Sequence, residues 1–161
     1  MDAASIDEHL SQATDSFSQK TKKHADKSPG HKDKDQKANI RESALAKAIQ
    51  SYEDGDYGQA IAQFETLLTT FPDDVRIHTM LGNSYFKCHR YKEAASQYER
   101  VITLDPANVD AYENLGVVYA NHGNLPRAIE QWERIMEISP EKKYIKESIT
   151  RARRLLKQLK E

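Results

Sequence analysis

Gly82–Ala94 reads GNSYFKCHRYKEA, and Gly116–Ala128 reads GVVYANHGNLPRA, the same frame thirty-four residues later. The glycine, the tyrosine three residues on and the closing alanine are kept, while most of what lies between them changes. Carrying that step along the chain adds further columns. Prolines fall at Pro72, Pro106 and Pro140, alanines at Ala60, Ala94 and Ala128, rings at Phe64, Tyr98 and Trp132, and glutamates at Glu65, Glu99 and Glu133. Gly55, His89 and Gly123 share a turn column, and Tyr57, Tyr91 and Leu125 follow two residues later. So many columns at one period mark an internal repeat of short supersecondary units.

Each unit carries two apolar stripes at helical spacing. In the last, Tyr112, Leu115, Gly116 and Tyr119 share one face, and Leu125, Ala128, Ile129, Trp132, Ile135 and Met136 share another. Small residues stand where two helices would have to approach closely: Ala48, Gly82 and Gly116 on first helices, Ala60, Ala94 and Ala128 on second ones. Each proline stops a second helix, because the residue before a proline resists the α conformation. Asp74 and Asn108 are placed to cap the next first helix. One hairpin cannot bury its own apolar face, so units must stack. Glu141–Glu161 would seal the last one, with Ile145, Ile149, Ala152, Leu156 and Leu159 in one stripe joined by Tyr144 and Leu155. The expected fold is all-α: an α-α superhelix of seven helices, made of three helix-turn-helix repeats (about 41–74, 75–108 and 109–140) and a capping helix over 141–161.

Charge follows the same division. The chain has 161 residues, 38% hydrophobic and 30% charged, with a net charge of −1. Residues 41–140 hold nine basic and fifteen acidic side chains, and residues 141–161 hold eight basic and three acidic. Residues 1–39 are expected to be a mostly disordered polar arm, since Ser18–Asn39 has no aromatic or large aliphatic residue to bury. Ahead of it, Ser5-Ile6-Asp7-Glu8 has capping-box spacing, and Ile6, Leu10, Ala13 and Phe17 allow a short interaction helix over 5–17. A single cysteine, Cys88, excludes an internal disulfide. The first residues lack the apolar run of a secretory signal, and no stretch approaches the roughly 20 apolar residues of a membrane span. The cytoplasm is therefore the expected location.

These columns resemble the tetratricopeptide repeat (TPR) family, whose Leu-Gly, Tyr, Ala, aromatic and Pro positions are matched by Leu81-Gly82, Tyr85, Ala94, Tyr98 and Pro106. They are matched again by Leu115-Gly116, Tyr119, Ala128, Trp132 and Pro140. The first unit is looser: Lys47-Ala48 replaces Leu-Gly and Ser51 replaces the tyrosine, with Tyr52 beside it. The resemblance implies a non-enzymatic protein-protein interaction module, a scaffold, adaptor or assembly chaperone, that holds a peptide or helical segment of a partner in a concave groove lined by first helices. Its groove positions fall on Glu42, Leu45, Ile49, Tyr52 and Glu53, then Arg76, Thr79, Met80, Asn83, Phe86 and Lys87, then Asp110, Glu113, Asn114, Val117, Ala120 and Asn121. Members of the family that clamp a chaperone's terminal carboxylate use Lys, Asn and Arg at five of these positions. Leu45, Ile49, Met80, Asp110 and Asn114 stand there instead, and an aspartate repels a carboxylate. The groove is expected to offer an apolar patch of Leu45, Ile49, Tyr52, Met80 and Phe86 flanked by Asn83, Asn114 and Asn121.

No phosphate loop, dinucleotide fingerprint, nucleophile elbow or HExxH stretch occurs. Asp54, Cys88 and His122 share one turn column, but neighbouring repeats are on the order of 10 Å apart while zinc ligands lie roughly 2 Å from the metal, so no metal or other cofactor is expected. Two alternatives remain open: binding of nucleic acid or another anionic surface by the basic C-terminal helix, and self-association of the solenoid.

Overall fold

A computed structural model describes residues 29–159, and the helix expected over 5–17 lies outside the described residues. Residues 41–161 form one compact unit, separate from the chain before them. Among the described residues there are seven helices and no strand: α1 (Pro29–Glu53), α2 (Tyr57–Thr70), α3 (Val75–Lys87), α4 (Tyr91–Leu104), α5 (Val109–Asn121), α6 (Leu125–Ile138) and α7 (Lys143–Gln158).

One boundary differs from the sequence expectation. Residues 29–39, assigned to a disordered arm, are the first turns of α1. Composition alone gave that stretch nothing to bury, and residues 35–40 are indeed exposed. Once the packed part of a helix is nucleated, however, adding a turn of good helix formers such as Gln36, Lys37 and Ala38 costs little. Pro29 at the start fits the first helical position, where its missing N–H is not needed.

The remaining boundaries follow the repeat. α2, α4 and α6 stop two residues before Pro72, Pro106 and Pro140. Asp74 Oδ1 accepts from the Arg76 and Ile77 amides at 3.0 and 3.2 Å, and Asn108 Oδ1 accepts from Ala111 at 3.0 Å. Within each hairpin the turn column is left-handed, with φ of +83° at Gly55, +58° at His89 and +81° at Gly123. Only His89 carries a Cβ there. Replacing it with glycine relieves a conformation that costs a side-chain-bearing residue about 1 kcal/mol or more, against the loss of the exposed 2.9 Å contact from His89 Nδ1 to the Tyr91 hydroxyl. We therefore expect His89→Gly to raise unfolding stability by about 0.5–1 kcal/mol in urea titration; a loss would show that the imidazole contact outweighs the backbone.

Burial follows the two stripes. Leu45, Ala48, Phe64, Ile77, Leu81, Tyr85, Ala94, Tyr98, Leu115 and Val118 belong to one apolar cluster, and Leu125, Ala128, Ile129, Trp132, Ile135, Ile145, Ile149 and Ala152 to a second. The first unit solves its departure from the pattern with polar bonds. Ser51, only 6% exposed, donates to Gln59 Oε1 at 2.9 Å, tying α1 to α2.

A ladder runs between successive units. The Tyr85 hydroxyl donates to Glu65, Tyr119 to Glu99 Oε1 at 2.8 Å, and Arg153 on α7 to Glu133. Each pair is twenty residues apart, so α7 occupies the place of a fourth first helix, with a guanidinium where the others carry a phenol. Burial, then the bond to Glu65, pushes the Tyr85 phenol up to about 12, so it remains a donor throughout the neutral range.

Candidate functional site

Along the faces of α1, α3 and α5 the structure gathers a small pocket of about 70 Å³ lined by Tyr52, Asn83, Phe86, Tyr98, Asn114 and Val117. Five of these six are groove positions read from the sequence. The sixth, Tyr98, comes from α4 and stands in the ring column of the repeat, outside the expected groove positions. Its hydroxyl donates to Asn83 Oδ1 at 2.5 Å. Burial raises the Tyr98 phenol well above the ordinary tyrosine range, so it does not ionise and keeps donating. That bond orients the Asn83 amide. Its oxygen is occupied, and among the described residues its Nδ2 has only the Met80 sulfur at 3.9 Å, a weak acceptor. Asn83 thus has a donor to offer a carbonyl beside the rings of Tyr52 and Phe86.

The other groove positions are less uniform. Leu45 is a correction: it is 0% exposed and belongs to the core cluster. It lies three residues before Ala48 on the same helical face, and a leucine there has no polar atom to keep in water, so it joins the seam between helices. Ile49, Tyr52, Met80 and Phe86 are half-buried, packed against that cluster with part of each surface open. Val117 is 36% exposed. Arg76 and Lys87 are exposed, and Arg76 Nη1 pairs with Glu42 Oε2 at 3.3 Å. The Arg41 guanidinium, bonded to Glu42, holds that carboxyl below its ordinary range. Asn121 turns its amide to its own helix, donating to the Val117 carbonyl at 2.9 Å. The groove acids of the third unit are also engaged: Lys142 Nζ lies 3.6 Å from Asp110 and 3.8 Å from Glu113, and the Tyr144 hydroxyl donates to Glu113 at 2.7 Å.

A second, larger pocket of about 330 Å³ lies where α5, α6 and α7 meet. Asn121, Trp132, Ser148, Arg151 and Leu155 are among its lining residues. Ala120 and Asn121, both on this lining, are groove positions expected from the sequence. The α7 residues were findable, because Tyr144, Ser148, Arg151 and Leu155 stand thirty-four residues beyond Asp110, Asn114, Val117 and Asn121. The basic character of α7 and its lack of the glycine and tyrosine columns hid that continuation.

Amide donors and hydroxyls beside apolar rings suit the backbone and side chains of a bound polypeptide. Among the described residues no group of three or more His, Cys, Asp or Glu side chains could hold a metal ion, and no helix is long and apolar enough to cross a membrane.

Comparison with known proteins points the same way. Three family models match: TPR repeat over residues 82–123, and tetratricopeptide repeat over residues 51–101 and 109–139. A comparison with curated protein sequences gives no match. Among solved structures, the first TPR of Spaghetti (RPAP3) bound to the HSP90 peptide SRMEEVD is similar at a TM-score of 0.67 and 19% identity, over 72% of this chain and 92% of that one. MamA is similar at 0.66 and 26%, over 71% and 67%. The Sgt2 TPR domain from Aspergillus fumigatus is similar at 0.67 and 16%, over 75% and 82%. The shared feature is the fold, a solenoid of paired helices.

Proposed function

Because the chain belongs to the tetratricopeptide repeat family, we propose that it is a non-enzymatic protein-binding module whose α1, α3 and α5 faces take an extended peptide or short helix with apolar anchors. Its role would be that of a scaffold, adaptor or assembly chaperone. The observation that carries this reading is the pocket of Tyr52, Asn83, Phe86, Asn114 and Val117, which joins an oriented amide donor to the half-buried rings of the first two units and to Asn114 and Val117 of the third. Main-chain bonds to such amides and insertion of apolar side chains are how grooves hold peptides.

A carboxylate-terminated ligand fits this part of the groove poorly. One structural relative holds an HSP90 peptide rich in acids. Here the equivalent positions present Ile49, Met80, Asp110 and Asn114, Leu45 is withdrawn into the core, and the nearby Lys142 already faces Asp110 and Glu113. The anionic-surface alternative loses Lys142 and Arg153 to internal partners in the same way.

The test requires a substitution that removes the donor without harming the core. Asn83→Ala would strand the hydroxyl of Tyr98, which is 2% exposed, at about 1–3 kcal/mol of stability. Asn83→Asp keeps an acceptor for that hydroxyl and replaces the donating NH2 with a carboxylate oxygen. Peptides selected from a displayed random library on the wild-type protein should bind the Asn83→Asp/Phe86→Ala variant about 100-fold more weakly, the sum of one hydrogen bond and one buried ring. Its helicity should be unchanged. Binding retained within twofold overturns the assignment.

A further inference from the structure

We propose that α7 is a fourth row of the groove, and that the pocket between α5, α6 and α7 takes an acidic segment of a partner protein. One apolar side chain of that segment would lie against Trp132 and Leu155, and a neighbouring carboxylate would pair with Arg151. The proposal rests on the reading of the α1, α3 and α5 faces as a protein-binding surface and assigns the chemistry at its far end.

Register is the first support. Tyr144, Ser148, Arg151 and Leu155 continue the columns of Asp110, Asn114, Val117 and Asn121 at the repeat step, and the ladder from Glu133 to Arg153 holds α7 as Glu99 holds α5. The pocket itself is the second. At about 330 Å³ it is several times larger than the 70 Å³ pocket of the earlier rows, enough for a leucine or phenylalanine side chain. Leu155 on its lining is 46% exposed, a large apolar side chain left in water.

Charge selects the occupant. α7 carries six basic residues and one acid, Glu147. Lys142 and Arg153 are taken by acids of the third unit, whereas Arg151 and Arg154 have no ion pair among the described residues. Arg151 is the one on the pocket lining, exposed and next to Ala152 on its floor. An apolar cavity with an uncompensated guanidinium at its mouth favours an apolar side chain beside a carboxylate, which a guanidinium engages through two parallel hydrogen bonds.

Trp132 is the only tryptophan of the chain and lines this pocket, so its emission reports occupancy directly. The probe is a synthetic dodecapeptide alternating Leu or Phe with Asp or Glu, compared with the same peptide carrying Lys at every acidic position. The acidic peptide should shift Trp132 emission saturably. Arg151→Glu should weaken it at least tenfold, Arg151→Gln by less, and Leu155→Asp should also weaken it, all with unchanged far-ultraviolet circular dichroism. Asn83→Asp/Phe86→Ala should weaken both peptides alike and leave the preference of Trp132 for the acidic over the Lys peptide unchanged, which separates charge selection at this site from the earlier rows. Three results would overturn the proposal: Arg151→Glu without effect, the Lys peptide shifting Trp132 equally, or a single-stranded oligonucleotide displacing the acidic peptide at lower concentration.

Discussion

Ending the chain after Pro140 should make the third repeat the first part of the protein to unfold and leave the protein prone to aggregate. α7 closes the second apolar cluster with Ile145, Ile149 and Ala152, which are 1%, 6% and 5% exposed, against Leu125, Ala128, Ile129, Trp132 and Ile135. Burial of the two isoleucines alone is worth about 3–6 kcal/mol. That is comparable to the about 5–15 kcal/mol that holds a whole domain folded. The ion pairs of Lys142 with Asp110 and Glu113 are exposed and add little. Stacked repeats are stabilised mainly by their neighbours, so the damage should be local at first. In urea, Trp132 emission of the shortened protein should therefore change before circular dichroism does, whereas in the full chain the two should coincide. Ile145→Ala is the milder version, expected to cost about 2–5 kcal/mol through the cavity it leaves. Coincident transitions in the shortened protein, at a midpoint close to that of the full chain, would show that the repeats need no seal.

The residues that the sequence reading missed share a cause. Period and side-chain type identify positions whose neighbours are supplied by the repeat itself. Gly82, Gly116, Tyr85, Tyr119 and the prolines were legible for that reason; Asn83, Phe86, Asn114 and Val117 are implied only by the resemblance to the family, and they line one small pocket. Leu45 failed because a column names a place on the helix and not the depth of the side chain that fills it. A threonine or a glutamate at the same place, Thr79 or Glu113, remains half-buried, whereas a leucine sinks. The start of α1 failed because helix extension needs no burial, and burial is what an apolar pattern reports. α7 reads as a seal with a basic outer face, and not as a row of the groove, because Thr150 and Arg153 stand where glycine and tyrosine stood before. Thr150 is exposed, and among the described residues no helix presses on it as α6 presses on Gly116. The small residue is dispensable there while the register of the helix is kept. Tyr98 was assigned to packing, which it does, and its hydroxyl acts on the groove as well.

Gly116→Ala is the sharpest test of why the repeat keeps its glycine. In an ordinary exposed helix the change stabilises by about 1 kcal/mol, since alanine is the better helix former. Here a Cβ would lie 2.3 Å from Trp132 Nε1 and 2.6 Å from Cδ1, well inside contact distance. The obstacle is a flat, rigid ring, 7% exposed and held by the second cluster, so it cannot swing away as a flexible side chain would. Overpacking of this kind costs about 1–3 kcal/mol and occasionally more, enough to reverse the propensity gain. We expect a net loss of about 2 kcal/mol in urea titration. Gly82→Ala should cost less, because its Cβ would meet the Tyr98 ring at 2.8–3.2 Å. Trp132→Phe removes the five-membered ring of the indole, whose Nε1, Cδ1 and Cε2 are the three clashing atoms. In that background Gly116→Ala should lose most of its penalty, giving a coupling of at least about 1 kcal/mol between the two positions. An equal penalty with Trp and with Phe would mean that the backbone of α5, and not the approach of α6, requires glycine. A gain in stability on Gly116→Ala alone would mean that the two helices have room to separate.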